Sequence, residues 1–197
     1  MNWKGKNSTT IILVISFFLM ASASKKFNTK EERKRMNAQI TWDNMPKRDG
    51  DRPSTTDTNP HQQLDQQPED FSFVEDLKTW AFALSDIDVK PSAISVPGSI
   101  ALWMKQEHAC KACDAFMVGT EFAHFHPKPD LSMHLGLPTK DAETIIDKGW
   151  GEWHPLIKRG YLPPTMIMLY APRNQEELEV AKRIVERSYQ FAKGIVE

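Results

Sequence analysis

Residues 121–134 read Glu121-Phe122-Ala123-His124-Phe125-His126-Pro127-Lys128-Pro129-Asp130-Leu131-Ser132-Met133-His134, and the topology follows from them. Strand side chains alternate between faces, so His124 and His126 share one face. On the return, Leu131, Met133 and Leu135 face away from His134. The segment from Pro127 to Leu131 has turn chemistry. A hairpin centred on Pro129 sets His124 opposite His134 and His126 opposite Ser132. Directly opposed Cβ atoms lie roughly 4.5–5.5 Å apart, so three imidazoles crowd one patch.

On either side the apolar pattern continues. Ile94, Val96, Ile100, Leu102 and Met104 alternate around Pro97-Gly98, residues 116–126 form the next strand candidate, and residues 131–137 alternate apolar with polar. The apolar run from Thr165 to Tyr170, closed by Ala171-Pro172, reads as a central strand. Ser72-x-x-Glu75 is a capping-box pattern before a helix carrying Phe73, Leu77, Trp80, Ala81 and Leu84. Thr139 can cap a short helix with Ile145 and Ile146, ended by Gly149. Asn174, with Glu177 three residues on, opens a last helix lined by Leu178, Ala181, Ile184, Val185, Ser188 and Ala192. The order α-β-β-β-α-β-α predicts one α+β domain over residues 71–197, a mostly antiparallel sheet with helices packed on one face.

The rest of the chain lies outside this domain. Lys4 and Lys6 precede an apolar run from Ile11 to Ala21 and a small-x-small pattern, so residues 1–23 read as a signal peptide that sends the chain into the secretory pathway for secretion. The alternative is an uncleaved anchor in the endoplasmic reticulum or another membrane. The basic residues from Lys25 to Arg35 favour it, and any membrane contact runs through this segment. Residues 24–70 are polar, with Pro and Gln but no apolar period, and read as a disordered linker.

Among 197 residues, 25 are basic and 26 acidic. This balance lacks the basic face that nucleic-acid binding needs. Two cysteines exclude a multi-disulfide scaffold. Cys110-x-x-Cys113 fits a redox pair, half a zinc site or a local disulfide; in an oxidising compartment the disulfide is preferred. There is no G-x-S-x-G, P-loop, G-x-G-x-x-G or H-E-x-x-H pattern.

Chemistry concentrates in two clusters. Neutral imidazoles bind transition metals, and one can act as a base near neutral pH. His124, His126 and His134 therefore suit either general-base work or a metal, although histidines on a sheet surface also merely hydrogen-bond. In Lys148-Gly149-Trp150-Gly151-Glu152-Trp153-His154-Pro155, the tryptophans offer flat apolar surface and Glu152 with His154 an acid–base pair. The same residues fit a helix-to-strand turn around a core tryptophan, the preferred reading on residues alone. Tyr170 and Arg173 lead into the last helix. Arg173 can clamp an anion or, preferably, pair with Glu176 or Glu177.

Glu121–His126, Ser132-Met133-His134-Leu135, Lys148–Leu156, Pro163-Pro164 and Leu169-Tyr170-Ala171-Pro172-Arg173-Asn174 together resemble the fungal luciferase family and its broader luciferase-like domain, over roughly residues 93–192. The Cys110–Cys113 pair is not part of that pattern. Fungal members oxidise 3-hydroxyhispidin with molecular oxygen and emit light, with no known metal or organic cofactor. The resemblance thus implies an oxidoreductase, an oxygenase acting on a small aromatic or pyrone-type enol with oxygen as co-substrate and no cofactor. In that chemistry His124 or His134 is the base, His126 and His154 orient the substrate, and Trp150, Glu152, Tyr170 and Arg173 contact it. The rival readings are a metal-dependent enzyme with His124, His126 and His134 as ligands, and a non-catalytic module that binds a small aromatic molecule or a protein.

Overall fold

The computed structural model describes Met1 and residues 41–197. The signal-peptide or anchor reading of residues 1–23 lies outside the described residues, apart from Met1. Six strands form one antiparallel sheet: β1 (Ile87–Pro91), β2 (Ile100–Met104), β3 (Glu121–Phe125), β4 (Met133–Gly136), β5 (Gly151–Trp153) and β6 (Met166–Leu169), in the order β1-β2-β3-β4-β6-β5. Three helices, α1 (Ser72–Phe82), α2 (Thr139–Asp147) and α3 (Gln175–Ala192), join it in a single α+β domain. Among the described residues, no helix is long and apolar enough to cross a membrane.

The register separates the two faces of the sheet. One cross-strand row runs Leu102–Ala123–Leu135–Ile167–Trp153. Its first four residues share the main core with Leu77 and Ala81 of α1, Ala142 and Ile145 of α2, and Leu178, Ala181, Ile184 and Val185 of α3, and Trp153 packs half-buried against that core. The neighbouring row, one residue along, runs Ala101–His124–His134–Met168–Glu152. Because alternate residues point to opposite faces, the helix-covered side holds the core and the other side holds the histidines.

Two expected helix starts differ in detail. Ser72 does not cap α1: no side-chain cap bond forms, and the Ser72 amide instead donates to Asp70 Oδ1 at 2.9 Å. Thr139 is already helical, with Pro138 at the cap position. Asn174 does cap α3, its side chain accepting from the Glu177 amide at 2.9 Å. Gly149 follows α2 at φ 80°, the left-handed conformation that glycine adopts without steric cost.

The expected strand order lacks β1 and β5. β1 is an edge strand, mostly exposed and ending in Pro91, so it has no buried stripe to announce it. Ile94 and Val96, expected in a strand, lie in the loop between β1 and β2. β5 is three residues long. It pairs so closely with β6 that a Cβ on Gly151 would overlap the Met168 carbonyl oxygen.

The largest difference concerns the linker. Residues 41–70, expected as disordered spacer, form an irregular strap packed on the domain. Met45, Arg48, His61 and Gln63 are buried there. Polar anchors hold the strap where periodicity is absent. The Arg48 amide bonds the Lys148 carbonyl at 2.9 Å, Arg173 bonds the Asp49 carbonyl at 2.7 Å, and the Gln63 side chain accepts from the Ala171 amide at 3.0 Å. Cys110 and Cys113 are joined, Cα atoms 6.0 Å apart, beside the C-terminal end of α3, where the Cys110 amide bonds the Ala192 carbonyl at 2.8 Å.

Candidate functional site

Of the chain's 6 histidines, all but His108 line one small chamber: His61, His124, His126, His134 and His154. The hairpin positions the central pair in direct register, His124 opposite His134. The His126 amide bonds the Ser132 carbonyl at 2.9 Å. His154 follows β5, two residues past Glu152 and so on the same face. His61 arrives from the strap and stacks on His134, ring centroids 5.2 Å apart.

Each of three histidines is held by a carboxylate. His124 Nδ1 is 2.8 Å from Glu121 Oε1, His126 Nδ1 is 2.5 Å from Asp130 Oδ2, and His61 Nε2 is 2.7 Å from Glu152 Oε1. Strict alternation would turn Glu121 away from His124. The register shift between β2 and β3 pairs Leu102 with Ala123 but Trp103 with Glu121, so Phe122 is an extra residue. This bulge re-aims Glu121 onto the histidine face. Asp130 also accepts from the Ser132 hydroxyl at 2.6 Å and the Gln63 amide at 3.0 Å, tying the hairpin turn to the strap.

Burial sets the charge state. It pushes the His124 and His134 imidazoliums down, and neighbouring imidazoles lower His134 further. Burial, helped by His61, pushes His154 down to about 3. These rings are neutral at neutral pH. Burial pushes the Glu152 carboxyl up, but hydrogen bonds from His61, Thr55 and Tyr170 outweigh it and hold it below its ordinary value.

The chamber measures about 40 Å³, room for a water or a diatomic molecule but not for an aromatic ring. Asn59, Pro60 and Ser95 join Ile94, Val96, Met117, Leu156 and Leu162 in the rest of its walls. His61 and His154 also line an open groove of about 760 Å³ with Thr55, Glu152, Trp153, Lys158 and Arg159. That size suits a small organic ligand.

The cluster thus gathers His124, His126, His134 and His154, with Glu152 at its rim. Tyr170 stands one step back, its hydroxyl donating to Glu152 Oε2 at 2.9 Å. Trp150 departs from its expected place against a substrate. It is buried in the main core and its indole donates to the Pro46 carbonyl at 2.6 Å. The groove's aromatic wall is Trp153 instead. Arg173 also departs, in the direction its residues favoured: it pairs with Glu177 and bonds Gln66 Oε1 at 3.0 Å, anchoring the strap rather than clamping an anion. Sequence reasoning missed His61, Glu121 and Asp130 as site residues. A lone histidine after Asn59-Pro60 in a polar stretch carries no periodic signal.

Residues 119–188 match the model of the Luciferase domain. Over these residues the chain carries a luciferase domain. Its luciferase domain spans β3 to most of α3, and so the whole histidine hairpin. Among curated proteins, a luciferase of Armillaria mellea is 32% identical over 159 residues, covering 73% of this chain and 59% of the relative. The Armillaria gallica luciferase is 31% identical over the same shares. A Neonothopanus nambi luciferase is 47% identical over 70 residues, 34% of this chain and 26% of the relative. The alignment spans about 59% of the length of the Armillaria relatives. No solved structure matches the chain.

Proposed function

We propose that this luciferase-domain chain is an oxygenase for a small aromatic enol of the pyrone type. The supporting observation is the juxtaposition of a ligand-sized groove with a small histidine-lined chamber, the two sharing only His61 and His154. The ring lies along Trp153 in the groove, with its acidic enol toward His61 and His154. Oxygen occupies the chamber. The neutral histidine cluster takes the enol proton, and the carboxylate behind each of His61, His124 and His126 stabilises the charge that develops. Exclusion of water protects the reactive enolate. The luciferase name of the relatives extends this reading to light emission.

The experiment uses the full-length chain with 3-hydroxyhispidin and related α-pyrones, following oxygen uptake and photon emission together. Uptake with light supports a luciferase, and uptake in the dark supports an oxygenase without emission. A folded chain that gives neither signal sinks the reading and leaves small-molecule binding, read as tight retention of the unchanged pyrone.

For residues 1–23 we keep the secretory proposal. A secreted chain beginning near Ser24 supports it, and a membrane-retained chain still carrying its N-terminal apolar run argues for the anchor.

A further inference from the structure

Counting protons across the cluster leaves one contact unfilled. An ionised carboxylate only accepts, so the nitrogens facing Glu121, Asp130 and Glu152 carry the protons: His124 Nδ1, His126 Nδ1 and His61 Nε2. The opposite nitrogens, His124 Nε2, His126 Nε2 and His61 Nδ1, are then lone pairs. His134 lies between two of them. Its Nδ1 is 3.0 Å from His124 Nε2 and its Nε2 is 3.1 Å from His61 Nδ1. A neutral imidazole has one proton to give. Once it is given to one neighbour, the other contact sets two lone pairs face to face in a buried site. A second proton would make His134 a buried imidazolium with no carboxylate against it, because both its nitrogens face imidazoles.

A cation resolves the conflict. If His134 donates through Nε2 to His61, then His134 Nδ1, His124 Nε2 and His126 Nε2 are all free as ligands. The other nitrogen of His124 bonds Glu121 and that of His134 bonds His61, while that of His126 bonds Ser132 Oγ with the Asp130 carboxylate beside it. That outer shell fixes the tautomer and raises the basicity of metal-binding histidines. Among the described residues, the ligand nitrogens of these three histidines fall within 4.8 Å of one another. A rival set, His61, His134 and His154, meets the same spacing. It is the weaker one, because His154 Nδ1 accepts the Leu156 amide at 3.1 Å and its inward nitrogen must then carry the proton.

We propose that His124, His126 and His134 bind one divalent first-row transition metal ion through His124 Nε2, His126 Nε2 and His134 Nδ1, with a position left open toward the chamber. An all-imidazole set suits zinc, copper, iron or nickel rather than magnesium or calcium. Three protein ligands with an open position are the arrangement of catalytic rather than structural sites. The inference stands on the proton count and not on the oxygenase reading. It departs from the metal-free turnover that the family resemblance implies.

The test uses the full-length chain purified without a metal-affinity tag. Elemental analysis is expected to find about one transition metal ion per chain. After chelation, cobalt(II) chloride titrated into the ion-free chain gives visible absorption that saturates at about one equivalent. H126A loses that signal. D130N, which removes the charge behind His126, weakens cobalt binding by about 10–100-fold. H108A, outside the cluster, keeps it. A wild-type chain with native near-ultraviolet dichroism that carries no ion and takes up no cobalt overturns the proposal, as does an H124A/H126A chain that binds cobalt as the wild type does. Oxygen uptake is read separately. A bound ion without uptake keeps the site and removes the oxygenase, whereas uptake by a chain that takes up no cobalt does the reverse.

Discussion

His61 lies nearly parallel to His134, ring planes 13° apart, although the two are 73 residues apart in the chain. One comes from an irregular strap and the other from the middle of the sheet. The strap therefore completes the chamber rather than merely covering it.

Removing that ring tests its role. H61A is expected to lower oxygen uptake by about 10²–10⁴-fold, the usual contribution of a positioned acid–base group, while near-ultraviolet dichroism stays native. Deleting residues 1–70 goes further. It uncovers the core where Met45 was buried and removes the Thr55 and His61 bonds to Glu152. The shortened chain is expected to unfold at a lower urea midpoint and to show no uptake.

Acid should loosen the strap before it unfolds the domain. Glu152 has a folded-state value below the ordinary 4.5, so its contribution is fully present above about pH 4.5 and is lost as pH falls through the lower folded value. Glu152 bonds Thr55 and His61 of the strap and Tyr170 of the domain. Hydrogen-exchange protection at residues 54–63, taken relative to the intrinsic rate at each pH, is expected to fall as pH drops below about 4.5. E152Q should flatten that acid limb; an unchanged limb would remove Glu152 from strap closure.

The two tryptophans should separate stability from binding. W150A empties a core position and is expected to cost about 3–5 kcal/mol in urea unfolding, with little change in KM among molecules that remain folded. W153A is expected to raise KM for the pyrone with a smaller loss of stability. Equal effects on KM would return Trp150 to the substrate wall.

Gly151 tests the closeness of β5 to β6. G151A drives a methyl against the Met168 carbonyl, where backbone must yield. A loss of at least about 1–3 kcal/mol is expected, with oxygen uptake falling as well because Glu152 and His154 ride on the same strand.

The hairpin was legible because its alternation survives intact from sequence to sheet. His124 faces His134 in the structure as spacing alone predicted, and β6 sits inside the sheet as its unbroken apolar run predicted. Legibility failed where a residue's place depends on something other than period. Glu121 reaches its histidine only through a bulge that breaks alternation. β5 is too short to show a pattern, and β1 buries no stripe. His61 belongs to a segment whose order comes from long-range polar bonds, and its composition looked like that of an unfolded tail. Trp150 and Arg173 had two readings each, and only the packing could choose between them.

The interleaving of rows on β3, β4 and β6 means that this sheet carries two nearly separate inheritances. Leu102, Ala123, Leu135 and Ile167 answer to the helices behind them, while Ala101, His124, His134 and Met168 belong to the face that carries the chamber. A lineage can therefore redraft the chemistry one residue at a time, at every second position, without disturbing the packing that keeps the sheet together. In such a domain the fold would outlast any single reaction performed on it.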